Sequence, residues 1–383
     1  MKRIRILLSG MIAGVPRQGG AAWAVLQYLL GLKRLGHEVY VVEPVSKEAL
    51  RPLGASLVCS ENAKYFQKVV ADFDLNGAAA LLLAGTRECV GLSYERLRKI
   101  AAQTDLLVDI SGMLKDECLK EKISARVYLD LDPAFNQLWN ASDGIDVGFN
   151  GHTHFVTVGE SMGQPDCKAP TCGLPWITTK QPIVLSLWPV GDGIHYDALT
   201  TIGNWRGYGS IDYQGEFYGQ KAHALRQFIE LPTVTDERFM MALSIHPDET
   251  SDLAALKANA WKLLDPLQVA GTPSDYRRFI QGSKAEFGIA KSGYVVSRCG
   301  WFSDRSVCYL SSGLPLLIQD TGLSDWLPVG QGIITFQDMP EILRGIENIQ
   351  AGYEQHRRAA RKLAEEHFST QKVLPALLEA AMS

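Results

Sequence analysis

The chain has no run of about 18 uninterrupted apolar residues, so no segment reads as a helix that spans a membrane. It also has no acidic or basic tail. Over 383 residues the formal net charge is -4, and bulk electrostatics call for neither nucleic acid nor a membrane surface. The partner expectation is therefore a small molecule, with no nucleic acid and no integral membrane segment. Walker loop, GxSxG elbow and HExxH are all missing, as are internal repeats and low-complexity tracts. The seven cysteines (Cys59, Cys89, Cys118, Cys167, Cys172, Cys299, Cys308) are odd in number and scattered. "CKAPTC" lacks CxxC spacing and no second pair follows it, so no metal site is expected, and reduced thiols point to a cytoplasmic protein.

What is present is an ordinary balance of 46% hydrophobic and 21% charged residues, in a chain long enough for two cores with a cleft between them. "MKRIRILLSGMIAG" sets basic residues before an apolar run, but Ile4 to Leu8 is too short for a signal-peptide core and reads as a buried strand. A glycine-rich loop follows. In "AAWAVLQYLLGLKRLG" the apolar residues then recur at helical spacing, and "EVYVVEP" closes a βαβ unit. "GAAALLLAG", "TDLLVDIS", "ARVYLDLD" and "HFVTVG" continue the alternation of a mostly parallel sheet. The Pro- and Gly-dense stretch 163–182 reads as a linker. After it "DALTTIGNW", "RFMMALSI", "GYVVSRC" and "PLLIQ" read as strands, and "DLAALKANAWKLLDP" and "EQHRRAARKLAEEHF" as helices. The fold class is α/β, with the site expected in the crevice between two such domains.

The stretch "CGWFSDRSVCYLSSGLPLLIQDTG", 299–322, places a helix start after a strand. Free N–H groups there favour an anion, with Ser303, Arg305 and Ser306 as further donors. Asp304 reads either as a cap or as an acceptor for sugar hydroxyls. Asp320 and Thr321 follow the next strand and would read hydroxyls in the same crevice. "SKAE" at 283–286 fits a capping box, and Lys291 is a candidate to neutralise a diphosphate or a plain helix-end lysine. "GMIAGVPRQGG" lacks GxGxxG because Ile12 stands where the second glycine belongs, although Glu43 ends the second strand where a ribose-binding acid would sit.

Together with "TTIGNW", "SKAEFGIAKSGYVVSRCGWFSDRSVCYLSSGLPLLIQDTG" and "YEQHRRAARKLAEEHF", this order resembles bacterial nucleotide-sugar glycosyltransferases of the GT-B fold, over nearly the whole chain. The resemblance implies two Rossmann-like domains with parallel sheets facing a cleft. Residues 1–185 would bind the acceptor and 186–355 the nucleotide sugar, while 356–383 cross back to the first domain. It also implies a UDP-, dTDP- or GDP-linked donor as substrate, no cofactor, and metal-independent transfer. Ser303, Asp304, Arg305, Ser306, Asp320, Thr321, Lys291 and Asn204 would then lie on the donor, and Gly14, Gly19 and Gly20 beside the acceptor and sugar. Gly300 and Cys308 replace a His-Gly-Gly loop or a pair of glutamates familiar in the fold, so the donor contacts and stereochemical course stay open.

An acceptor hydroxyl must lose its proton as the new bond forms. His152 and His154, two apart in "GHTHFVTVG", share a side of an extended segment and are candidates for that base; satisfied loop histidines are the other reading. Asp130 or Asp132 in "LDLDPAF" can orient such a base, or Asp132 can cap a helix. A sugar-nucleotide epimerase, an NAD-dependent oxidoreductase or a non-catalytic nucleotide-sugar-binding protein are the competing expectations.

Overall fold

The computed structural model describes residues 2–382. The first sheet contains β1 (Arg5–Ser9), β2 (Glu38–Val45), β3 (Ala79–Leu83), β4 (Cys89–Gly91), β5 (Leu106–Ile110), β6 (Ala125–Asp130), β7 (His154–Thr157) and β8 (Trp176–Thr178). Their spatial order is β4-β3-β2-β1-β5-β6-β7-β8, parallel throughout except for the edge strand β4. Every residue of β5 is buried, which is why it reads as a continuous apolar run and not as an alternation.

The second sheet contains β9 (Tyr196–Asn204), β12 (Phe239–Ser244), β13 (Lys262–Leu264), β14 (Ser283–Gly288), β15 (Leu316–Gln319) and β16 (Ile333–Phe336), with a separate hairpin of β10 (Ile211–Tyr213) and β11 (Glu216–Tyr218). Its order, β13-β12-β9-β14-β15-β16, is all parallel and is the dinucleotide-fold order 3-2-1-4-5-6. Strand order reverses between β9 and β14 here, and between β1 and β5 in the first sheet. Those reversals open crevices at the carboxyl ends of the strands.

Several segments differ from the sequence expectation. The helix in "DLAALKANAWKLLDP" ends at Ala258 and Lys262–Leu264 is β13, and the stretch 163–182 read as a linker supplies β8 to the first sheet. "SKAE" is not a capping box but the start of β14, where Ser283, Ala285 and Phe287 are buried between β9 and β15. "YVVS" is not a strand but part of the short helix Ser292–Ser297, ended by Arg298 in a left-handed conformation. The helix places Gly293 so close to Phe135 that a Cβ would lie 2.6 Å from the ring.

The domains touch along several lines. The terminal helix Thr370–Met382 packs on the first-domain helix Gly19–Arg34, where a Cβ on Gly31 would meet Leu374 at 2.5 Å. Trp23 donates its indole N–H to the Pro273 carbonyl at 2.8 Å. On the other flank Gly159 and Trp301 form an antiparallel bridge, and the Ser161 and Lys168 amides donate to the Cys299 and Ser297 carbonyls. No helix among the described residues is long and apolar enough to cross a membrane.

Candidate functional site

A cavity of about 560 Å³ opens at the carboxyl ends of β9 and β12. Ile202 to Asn204, Leu243 to Ile245 and the segment Asp265 to Ala270 form one wall, Asp304 and Arg305 the floor, and Arg17 to Ala21 of the first domain the opposite wall. It therefore lies at the carboxyl end of β9, the strand at which the order of the second sheet reverses, and the first loop of the first domain faces it.

Arg305 sits in the first turn of the helix Asp304–Ser311, whose cap is Ser303: its Oγ accepts from the Arg305 amide at 3.2 Å. The guanidinium donates through Nε to Glu286 Oε1 at 2.6 Å and through Nη1 to the Ile202 carbonyl at 2.8 Å. Burial opposes its charge, but Glu286, with smaller contributions from Tyr276 and Tyr309, offsets this and holds Arg305 above its ordinary range. Glu286 is fully buried in β14, and its second oxygen, Oε2, has no hydrogen-bond partner.

Lys221, absent from the sequence expectations, completes the group. Its amine lies 2.9 Å from where a Cβ on Gly203 would stand, so the glycine that lines the cavity leaves room for the amine beside it. It makes no hydrogen bond or ion pair among the described residues. Burial, and then repulsion from Arg305, push it well below the ordinary lysine range against the pull of Glu286. Arg305 alone pairs with Glu286, and Lys221 feels the pull of that carboxylate without an ion pair. Asp304 borders the same cavity with its carboxyl pushed up, mainly by burial.

The expected site residues divide sharply. Asn204, Asp304, Arg305, Gly19 and Gly20 line the cavity together. Ser303 and Ser306 are instead buried against a neighbouring void of about 10 Å³, room for a single water at most. Asp320 caps its own turn, accepting from the Gly322 and Leu323 amides at 2.9 Å and the Ser324 hydroxyl at 2.6 Å. Thr321 is buried and donates to the Trp301 carbonyl. Lys291 is held by Asp132, with both carboxylate oxygens within 3.0 Å.

The first-domain candidates are engaged elsewhere. His152, with a side chain only 1% exposed, pairs through Nε2 with the buried Asp109 at 3.2 Å, so it cannot reach an acceptor in the cavity. His154 opens β7, at the amino end of a parallel strand and so away from the carboxyl-end cleft, and bonds to Thr153. Asp130 orients no histidine: it is fully buried and accepts from Asn136, Gln137 and Thr157 at 2.8–2.9 Å. In the first loop, Glu43 accepts from the Ala13 and Gly14 amides, and burial pushes its carboxyl up to about 7. Gly14 belongs to this buried support and not to the cavity, and Glu43 is too enclosed to read a ribose. Gly19 docks on the second domain, its amide donating to the Ala270 carbonyl at 3.0 Å, where a Cβ would lie 2.3 Å from the Thr272 carbonyl oxygen. The loop is held at both ends.

No protein-family model matches the chain, and no curated protein matches it. Solved structures do. An alpha-glucosyltransferase in complex with UDP-glucose and DNA containing an abasic site is 13% identical, with a TM-score of 0.65 and 100% of each chain covered. Anabaena HepE in complex with UDP and glucose is 10% identical at a TM-score of 0.60, again over 100% of each chain. Sucrose-phosphate synthase from Thermosynechococcus elongatus is 10% identical at 0.58, over 98% of each. The chain has the GT-B fold that these proteins share. The exclusion of nucleic acid on grounds of net charge does not stand: the alpha-glucosyltransferase of this fold is solved with DNA in several complexes.

Proposed function

We propose that the chain transfers a sugar from a nucleoside-diphosphate donor to an acceptor in the cavity between its two domains. One observation carries this reading. Arg305, fixed by Glu286 and the Ile202 carbonyl, lines the cavity at the start of the helix Asp304–Ser311, and Lys221, without a hydrogen-bond partner among the described residues, stands beside the lining residue Gly203 at the carboxyl end of β9. Two cations against one half-satisfied carboxylate leave a positive excess suited to a diphosphate.

In this reading 186–355 holds the donor and 1–185 the acceptor, with 356–383 joining them. Asn204 and Asp304 face the donor's hydroxyls. As the sugar leaves, negative charge builds on the diphosphate, and Arg305, Lys221 and the helix start stabilise it without reorganising. These fixed cations supply the charge that a metal would otherwise provide, so transfer is expected to persist in chelator. The UDP and UDP-glucose of the similar structures make UDP the first nucleotide to test. DNA joins the acceptor screen because the alpha-glucosyltransferase is solved with it. A cytoplasmic location belongs to the same proposal and is supported by free cysteines throughout.

Thermal-shift measurements with UDP, dTDP, GDP and NAD test the proposal. Stabilisation by one of the nucleoside diphosphates, followed by turnover of its sugar conjugate, is the expected result. Stabilisation by NAD alone would overturn it in favour of an oxidoreductase.

A further inference from the structure

Lys291 and Asp132 form a second charged group at the interdomain contact; it adjoins Lys221, since the Gly293 amide donates to the Gly219 carbonyl at 2.9 Å and the Lys291 charge helps to lower the proton affinity of Lys221. Asp132 follows β6 in the first domain. Lys291 follows β14 in the second and precedes the helix Ser292–Ser297. The Lys291 amine meets Asp132 Oδ1 at 3.0 Å and Oδ2 at 2.9 Å, and the Tyr208 and Tyr294 hydroxyls also donate to Asp132. The amine lies over three rings, 4.1 Å from the centroid of Tyr208, 4.9 Å from Phe135 and 5.0 Å from Tyr294. Trp139 packs on Tyr208 and Trp301 stacks on Tyr294. The lysine and aspartate side chains are only 22% and 25% exposed.

A pair so enclosed is costly to break and adds little net stability compared with an apolar contact, so its strongest physical effect is on geometry. Both carboxylate oxygens and the ammonium are satisfied only when the two domains sit in one register. The same contact carries the backbone bonds from Ser161 to Cys299 and from Lys168 to Ser297. We propose that Asp132 and Lys291 are positioning residues: a cross-domain clamp that sets the spacing of the cleft and does not contact the donor. The proposal of a clamp stands on this geometry; its consequence for turnover rests on the transferase reading.

Hydrogen exchange on the full chain tests the clamp directly. Lys291→Met and Asp132→Asn should each speed exchange at the Ser161 and Lys168 amides by about tenfold while amides in β1 stay protected. The double variant should do no more than either single one, since both remove the same contact. UDP affinity should move by less than about twofold and turnover should fall, a loss in kcat and not in donor binding. Unchanged exchange in either variant, additive effects, or a tenfold loss of UDP affinity in Lys291→Met would each overturn the clamp. If UDP fails to bind the unaltered protein, the transferase reading falls, and the exchange data still decide on the clamp.

Discussion

Two clusters of lysine, arginine and carboxylate stand between the domains, in opposite states. At the clamp one lysine meets one aspartate whose oxygens are all engaged. At the cavity Glu286 pairs with Arg305 alone, and among the described residues neither its other oxygen nor the Lys221 amine has a hydrogen-bond partner. The first group is complete as it stands, as expected of a structural contact. The second holds an uncompensated charge in a partly dry site, which a folded chain tolerates best where a ligand supplies the missing anion.

The largest effect expected to separate the two is on stability. Arg305→Ala leaves Glu286 buried without a cation and should destabilise the protein by about 3–5 kcal/mol in urea unfolding. Lys291→Met leaves Asp132 with two tyrosine hydroxyls and some solvent, so its loss should be smaller. Equal losses would mean that the two groups are energetically alike and that the contrast has no weight.

A third carboxylate sharpens the comparison because no cation faces it. Glu43 has only backbone donors from the first loop, and burial pushes its carboxyl from 4.5 up to about 7. Its protonated form is favoured in the folded chain. The stability linked to it is therefore full below about 4.5 and lost as pH rises through about 7, a change on the order of 3 kcal/mol. Unfolding measured from pH 5 to pH 8 should show that decline in the unaltered protein. Glu43→Gln should flatten it, whatever its absolute stability.

These contrasts also mark how far the sequence could be read. Short apolar runs such as "LLVDI" and "PLLIQ" announce parallel strands because burial on both faces removes polar alternation. "SKAE" misleads because Ser and Glu at that spacing match a helix start as well as they match β14. The Glu286 carboxylate that seems to be part of a cap is in fact the partner of Arg305, 19 residues on. Arg305 and Asp304 were legible from the helix start after a strand. His152 and Asp130 were legible as polar groups but not as buried ones, since their partners Asp109 and Thr157 come from neighbouring strands or their ends. Lys221 carried no signal at all: it opens the short helix Lys221–Leu225 after the β10–β11 hairpin, and only the fold returns it to Gly203.

Removing Lys221 should separate binding from stability. Lys221→Met takes away a cation with no partner, so urea unfolding should be unchanged or slightly more difficult. UDP affinity should fall by about 10- to 100-fold, the size of a lost charge-assisted contact of roughly 1.5–3 kcal/mol. The same change at Lys291 should leave UDP affinity in place. Reversed results would exchange the roles of the two lysines.

The smallest effect is a fraction of a proton, and it tests why Lys221 is free. Burial first, then Arg305 and more weakly Lys291, lower its proton affinity, against the pull of Glu286. A bound diphosphate opposes those effects and raises the proton affinity of Lys221, so UDP affinity should weaken as pH rises into the range where the empty site releases that proton. Calorimetry of UDP binding in buffers of different ionisation enthalpy reads this directly. The expected result is uptake of a fraction of a proton, lost in Lys221→Met and reduced but kept in Lys291→Met, which removes only one of the charges that lower Lys221. Uptake of equal size in the Lys221 variant would place the titrating group elsewhere, with Asp304, whose carboxyl burial also pushes up, the next to replace.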